Sequence, residues 1–365
     1  MKTHSKPRPA VKLAAAGIAL AAILSGCAAA DEPSDTAEAG SAISAERCAL
    51  NEAAGEITYI TGYQYQASVT ILDVIAAEQL GYFNDLCLDV TIQPGTGDTA
   101  SNAQLVAAGT AQLSSLSGDG DLLINVANGV DVTGIATFGH VPIATLMTSD
   151  EITDLTELDG TILGQKGALP VDIAAMLSTA GADLDSIEQV VVGYDPTVLT
   201  RGQVDSLTGY KSNEPLILEA MGESVTTWNP EDFGVPGSIA TLIANPAFAE
   251  EHTTVVEDFL RATLHAYEYC GENAAECVES ASSLSAAGYD VDHNTGIWET
   301  ESELVGSSLP DGQDLGTVDF DLMKVQGDFL VEAGSIPSVP DLATIADNSF
   351  IEGVYADGSL VWPAP

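Results

Sequence analysis

The chain has 365 residues, of which 54 are acidic and 10 are basic, and its formal net charge at pH 7 is −44. This charge argues against binding to nucleic acid or to anionic lipid, and it suits a protein that is kept soluble where external salt screens self-repulsion. The length is more than one ordinary domain needs and predicts two lobes.

The N-terminal segment has the pattern of a lipoprotein export signal. Four basic residues precede an apolar run at 13–24, and Ser25 and Gly26 then stand before Cys27. A run of about 12 residues is too short to span a bilayer core, which needs about 20. We expect residues 1–27 to be a signal peptide that leaves Cys27 lipidated at the outer face of the cell membrane. An ordinary secretory signal is the alternative.

Residues 28–45 consist mainly of alanine, serine, glycine and acidic residues. Such a composition does not bury enough apolar surface to order itself. We expect this segment to be a flexible tether between the lipid anchor and the folded part of the chain.

Four further cysteines, an even number, indicate two disulfides in an oxidising compartment. Seven residues of one straight helix span about 10.5 Å, so a Cys270–Cys277 bond requires a break, which the intervening glycine and asparagine favour. We predict that bond within a helix-turn-helix, and a second bond between Cys48 and Cys87. Metal binding is the weaker interpretation, because no histidine lies near either pair in the sequence.

The first part of the body alternates β-rich runs with amphipathic helices, which is typical of parallel α/β layers. The predicted elements are a strand at 57–62, a helix at 69–80, a strand at 88–93, a helix at 98–108, and strands at 112–116 and 132–138.

The alternation restarts near residue 150. The predicted strands are 161–163, 189–192, 206–209 and 224–227, and the predicted helices are 171–179, 197–201 and 214–221. The apolar run at 239–244 then returns to the first lobe, and 253–334 is mostly helical. We therefore assign 46–150 and 240–365 to lobe 1 and 151–239 to lobe 2. Two crossings imply a hinge, with a ligand cleft between the strand ends.

Three motifs resemble ABC-transporter substrate-binding proteins of the pyrimidine-precursor, alkanesulfonate and nitrate cluster. They are "GYFNDLCLDV" at the end of 71–90, "DLTELDGTILGQKG" at 154–167 and "TRGQVDSLTGYKSNEP" at 200–215, and the resemblance covers 57–264. Cys87 departs from the pattern, since the family more often has glycine there. The resemblance implies a type II periplasmic-binding-protein-like α/β fold. It also implies a monomeric receptor that delivers a nutrient to a permease and an ATPase.

Aromatic residues fall where predicted strands end. Stacking between such rings suits a flat heterocycle, because rings bury a large apolar area and leave their edges free for hydrogen bonds. We predict a planar nutrient, such as a pyrimidine or thiamine precursor or a riboflavin-like molecule. The candidate rings are Tyr63, Tyr65, Tyr194, Tyr210 and Trp228; core packing is the alternative for each.

Polar partners for such a ring are Gln66, Asp119, Asn213 and Glu214, since carboxylates and amides match ring N–H and carbonyl edges. Capping of a helix N-terminus is an equal alternative for Asp119, and Glu214 could simply begin a helix. The glycine loop at 164–170 precedes a helix, so Gly167 and Ala168 could offer backbone N–H groups to a phosphate or carbonyl.

Other functions remain as alternatives. A small anion such as an alkanesulfonate or nitrate needs cations, and only Lys166, Arg201 and Lys211 fall near lobe-2 strand ends. An enzyme resembling the pyrimidine synthase of the same fold is disfavoured, because only His140 suits the cleft and no catalytic constellation is present. A ligand sensor coupled to a signalling partner is the remaining hypothesis. We predict no catalytic residue, metal or cofactor.

Overall fold

The computed structural model describes residues 42–285 and 288–365. Cys27, the predicted signal peptide and nearly all of the predicted tether lie outside these residues. Within them, no helix combines the length and the apolar character needed to cross a bilayer.

The first segment of the fold supplies most of one sheet and the helices that cover it. Its elements are α1 (Ala45–Glu52), β1 (Glu56–Ile60), α2 (Leu72–Gln79), α3 (Tyr82–Asp85), β2 (Asp89–Gln93), α4 (Thr99–Ala107), β3 (Leu113–Leu116), α5 (Asp119–Ala127) and β4 (Thr133–Gly139).

The middle segment forms a second sheet. Its elements are β5 (Ala144–Thr148), β6 (Ile162–Gln165), α6 (Val171–Ala180), β7 (Glu188–Val191), α7 (Thr197–Thr200), β8 (Ser206–Tyr210), α8 (Glu214–Ala220) and β9 (Thr226–Trp228).

The last segment returns to the first sheet and is otherwise mainly helical. Its elements are β10 (Ile239–Ala244), α9 (Pro246–Glu251), α10 (Thr253–Glu272), α11 (Ala274–Ser282), α12 (Val291–Ser308), α13 (Phe320–Glu332), α14 (Leu342–Ile345), α15 (Ser349–Glu352), β11 (Tyr355–Ala356) and β12 (Ser359–Leu360).

The two large sheets share one plan. Sheet 1 has the order β2-β1-β3-β10-β4 and sheet 2 the order β7-β6-β8-β5-β9. In each, four strands run in one direction, and the strand that enters from the other sheet runs antiparallel to both of its neighbours: β10 in sheet 1 and β5 in sheet 2. This confirms the expected α/β fold with two lobes, each built on one sheet.

Strand β5 corrects the expected boundary at residue 150. Ala144–Thr148 pairs with β8 and β9, so the chain enters sheet 2 at residue 144 rather than at 151. All five residues of β5 are buried. A strand covered on both faces shows no alternation of apolar and polar residues, which is why the sequence pattern missed it.

The crossings between the sheets run at 140–143 and 229–238 and pack against each other. Gly237 lies so close to Pro142 that a Cβ atom at this position would be 2.4 Å from the proline ring. Lys211 links the two crossings, since its Nζ donates to the carbonyl of Pro142 at 2.7 Å and pairs with Glu231 at 2.5 Å.

Both predicted disulfides are present, Cys48–Cys87 and Cys270–Cys277. The second joins α10 to α11 across the helix break at Asn273, as expected. Cys87 has φ +56°, in the left-handed region that favours glycine. The turn therefore keeps the conformation that a glycine would favour, and cysteine adds a covalent link to α1.

Candidate functional site

A cavity of about 300 Å³ lies between the two sheets. One side, which we call the first wall, comprises 62–71 and 97–99 and belongs to sheet 1; the opposite side, the second wall, comprises 166–170, 194 and 208–214 and belongs to sheet 2. Glu301 of α12 also lines it. This is the cleft expected from two crossings in an open α/β fold.

The first wall is a tightly held loop between β1 and α2. Thr70 has φ +66°, which is a strained conformation for a β-branched residue. The hydroxyl of buried Tyr59 donates to the carbonyl of Thr70 at 2.5 Å and fixes it. The ring of Tyr63 rests on Gly97, where a Cβ would lie 3.0 Å from the ring. The loop thus has a fixed conformation on the side that lines the cavity.

The second wall carries an ion pair. Lys166, which follows β6, pairs with Glu214, the first residue of α8. The other oxygen of Glu214 accepts the backbone N–H of Tyr210 at 2.8 Å. Burial lowers the pKa of Lys166 to about 8, while the adjacent carboxylate favours its charged form. Glu214 itself is buried, and the positive charge of Lys166 compensates its negative charge.

Tyrosines face the cavity from both walls. Lys166 Nζ lies 5.7 Å from the ring centroid of Tyr194, within the range of a cation–π contact. Burial, and to a lesser degree the charge interaction with Tyr194, raise the pKa of Tyr63. Tyr194 is 67% exposed and Tyr210 47% exposed. Both residues therefore keep a large part of their surface accessible.

Seven of the predicted ligand residues line this cavity. They come from both sheets and include the amides, the carboxylate and three of the rings: Tyr63, Gln66, Ala168, Tyr194, Tyr210, Asn213 and Glu214.

Four predicted residues do not line the cavity. The hydroxyl of Tyr65 donates to the carbonyl of Ile92 at 2.8 Å, and the indole of Trp228 donates to Thr148 at 2.9 Å. The polar group of each of these two rings is therefore hydrogen-bonded within its own lobe. Gly167 lies between two lining residues with φ +119°, a turn conformation, and is not itself part of the lining.

Asp119 is the clearest correction. It is fully buried between strands, where one carboxylate oxygen accepts from Thr137 at 2.6 Å and Thr241 at 2.7 Å. It does not cap α5 either, since Gly118 holds that position without a side-chain bond. Asp119 therefore ties β4 and β10 together beneath the site.

Glu301 is a buried acidic lining residue that the sequence did not indicate. It is buried, and burial raises its pKa to about 6. It stands in a helix 232 residues after its partner Val69. The only local signal is an acidic residue on the apolar side of an amphipathic helix, which does not by itself indicate a cleft.

The cations are already engaged. All six lysines and arginines of the described residues pair with carboxylates. Arg201 is a surface residue beside Asp195, and Lys211 braces the crossings rather than the cavity. Among the described lining residues, Lys166 is the single lysine or arginine.

A comparison with protein families shows which family the chain belongs to. Residues 69–277 match the family described as NMT1/THI5 like. The chain belongs to this family. A curated relative, the formylaminopyrimidine-binding protein of Halalkalibacterium halodurans, is 30% identical over 206 residues, which cover 54% of this chain and 62% of the relative. The match thus spans less than two thirds of that relative.

Solved structures agree on the fold of this NMT1/THI5-like chain. The aliphatic sulphonate binding protein SsuA of Escherichia coli has a TM-score of 0.58 at 13% identity, covering 85% of this chain and 96% of that one. The desulfurization enzyme DSZB has a TM-score of 0.54 at 13% identity, covering 81% and 98%. The fold therefore hosts both binding proteins and an enzyme, and the residues of the site must distinguish them.

Proposed function

We propose that this protein is an extracytoplasmic solute receptor of an ABC importer and that it binds a small planar nutrient of the aminopyrimidine class. The observation that carries this proposal is the cavity between the two sheets, which is lined by Tyr63 of the first wall and by Tyr194 and the buried Glu214 of the second. Rings give a flat ligand two faces to stack on, and a carboxylate accepts hydrogen bonds from its amino edge.

The charge of the cavity favours a neutral or cationic ligand. Lys166 is balanced by Glu214, and Glu301 adds a second carboxylate to the lining. An anion would have to compete with Glu214 for the lysine and would also be repelled by both carboxylates. The name of the relative from Halalkalibacterium halodurans, a formylaminopyrimidine-binding protein, supports the same ligand class.

In this proposal the receptor works as a monomer that is lipidated at Cys27 and stays outside the cell membrane. Ligand contacts with both walls favour the closed arrangement of the two lobes, which a permease and its ATPase then recognise. The name of the relative from Halalkalibacterium halodurans, which is a binding protein, favours a receptor over an enzyme.

Native mass spectrometry and absorbance of the purified chain form the first test, because a co-purifying molecule would identify the ligand directly. Titration calorimetry follows, with an aminopyrimidine carrying a hydroxymethyl arm and an analogue in which a carbonyl replaces the amino group. We expect one-to-one binding that is at least about 10-fold tighter for the amino compound, the value of one charge-assisted hydrogen bond.

Ethanesulfonate and nitrate are the competing probes. Tight binding of either, with no binding of the aminopyrimidine, would replace the proposed ligand with a small anion held by Lys166. Glu219→Gln is the control variant, since Glu219 is an exposed carboxylate on the same helix as Glu214, and we expect it to bind every probe as the natural chain does.

A further inference from the structure

Glu301 makes one hydrogen bond to each wall of the cavity. Its Oε2 accepts the backbone N–H of Val69 in the first wall at 2.8 Å. Its Oε1 accepts the hydroxyl of Ser212 in the second wall at 2.7 Å. The side chain is 5% exposed and itself lines the cavity. A single buried carboxylate therefore spans from sheet 1 to sheet 2.

The rest of α12 contacts the same two loops. Asn294 Oδ1 accepts the N–H of Ala67 in the first wall at 2.9 Å, and His293 Nε2 lies 2.9 Å from Asn213 Oδ1 in the second. On the same helix, Gly296 lies close to Leu216 of α8, since a Cβ atom at Gly296 would be 3.2 Å from the leucine side chain. One face of α12 thus lies along both sides of the cleft.

We propose that Glu301 is a positioning residue that holds the two walls at the separation a planar ligand requires. This inference rests on the proposed function, because it concerns the same site. A buried carboxylate with both oxygens hydrogen-bonded is a strong and directional link, and its removal leaves the N–H of Val69 and the hydroxyl of Ser212 without their partner.

The chemistry separates a positioning role from a need for negative charge. Glutamine at 301 can accept from the N–H of Val69 through its oxygen and donate to Ser212 through its amide, because a serine hydroxyl also accepts. Glu301→Gln therefore keeps the link, whereas Glu301→Ala removes it. If charge on the ligand were the reason for Glu301, the two variants would lose affinity alike.

The test is a double-mutant cycle on binding of the hydroxymethyl aminopyrimidine, measured by calorimetry. We expect Glu301→Ala to weaken binding about 10- to 100-fold and Glu301→Gln to stay within about 3-fold of the natural chain. Ser212→Ala should cost nothing further once Glu301 is alanine. Glu303→Ala, an exposed position on the same helix, is the matched control and should bind normally.

A readout without ligand keeps the inference separate from the proposed function. In the free protein, Ser212→Ala and Glu301→Ala should both speed amide hydrogen exchange in the peptide containing Val69, although Ser212 lies on the other wall. Additive losses of affinity, or normal binding by Glu301→Ala, would overturn the positioning role. If no probe binds the natural chain, the proposed ligand is wrong, and unchanged exchange at Val69 in Ser212→Ala then decides against the link as well.

Discussion

The two walls of the cleft differ in how they are built. Thr70 and Ile71 of the first wall are buried and held by hydrogen bonds and packing from below. Tyr194 and Tyr210 of the second wall are exposed residues, at 67% and 47%. The difference indicates a division of labour, in which the first wall is a preformed surface and the second supplies side chains that adjust to the ligand.

The preformed wall is costly to maintain. Its loop includes a β-branched residue in the left-handed region, Thr70, and it leads into a helix whose first turn buries the carboxyl group of Asp73. Strained backbone and buried ionisable groups persist only where the surrounding packing offsets them, and they concentrate at functional sites. Changes to the first wall should therefore alter stability, and changes to the second should alter affinity.

The largest expected effect is on the pH dependence of stability, through Asp73. Burial, and to a lesser degree the charge of Glu301, raise the pKa of Asp73 from 3.8 to about 8. Between these values the folded protein holds a proton that the unfolded chain has released. The contribution of Asp73 to the free energy of unfolding therefore falls as pH rises, by up to about 1.4 kcal/mol per pH unit.

The variant Asp73→Asn should remove this contribution, measured by urea unfolding at several pH values between 6 and 8, above the value of about 6 to which burial raises the pKa of Glu301 and of Asp172. The comparison is between the slopes of the two proteins with pH, and not between their free energies of unfolding at one pH. A variant whose free energy of unfolding falls with pH as steeply as that of the natural chain would show that Asp73 ionises normally in the folded protein.

The next effect compares two glycines, one beneath each wall. A Cβ atom at Gly95 would lie 2.0 Å from the carbonyl oxygen of Thr61, whereas a Cβ at Gly193, next to Tyr194, would meet nothing within 4 Å. We expect Gly95→Ala to destabilise the protein by about 3 kcal/mol, as overpacking does, and Gly193→Ala to change stability by less than about 0.5 kcal/mol. Thermal unfolding of both variants checks this, and equal shifts in Tm would contradict the difference between the walls.

The sequence predicts the elements of both walls better than their side chains. Alternating runs place most strands and helices within a few residues, because hydrophobic periodicity reflects one-sided burial. Helix α2 begins at Leu72 rather than at residue 69, since the left-handed Thr70 interrupts the helical path. That interruption depends on contacts with Tyr59 across the core, which no local pattern contains.

The site residues follow the same rule. Tyr63 and Tyr65 stand two positions apart after one strand, yet one faces the cavity and the other bonds to Ile92. Glu301 reaches the cavity only because a distant helix packs across both walls. Sequence spacing indicates which loops meet at a cleft, and tertiary packing determines which side chains enter it.

The third prediction concerns Glu214 and tests whether the second wall determines the ligand class. Glu214→Gln removes the charge that pairs with Lys166 but keeps an acceptor for the N–H of Tyr210. We expect aminopyrimidine binding to weaken by about 2 kcal/mol, or about 30-fold. Because Lys166 loses its partner, ethanesulfonate should bind better to the variant than to the natural chain.

Calorimetry with both probes measures the exchange of preference. If Glu214→Gln binds the aminopyrimidine as tightly as the control Glu219→Gln does, Glu214 does not receive the amino edge of the ligand.

The smallest expected effect belongs to Tyr194, the most exposed of the three rings in the cavity. An aromatic contact contributes about 0.5–1.5 kcal/mol beyond its buried area, so Tyr194→Ala should weaken binding of the aminopyrimidine about 3- to 10-fold without changing Tm. Tyr194→Phe keeps the ring and should bind nearly as the natural chain does, because stacking uses the face and not the hydroxyl. Should Tyr194→Phe lose as much affinity as Tyr194→Ala, the hydroxyl must make the contact. The second wall would then recognise its ligand by hydrogen bonding at the edge rather than by stacking.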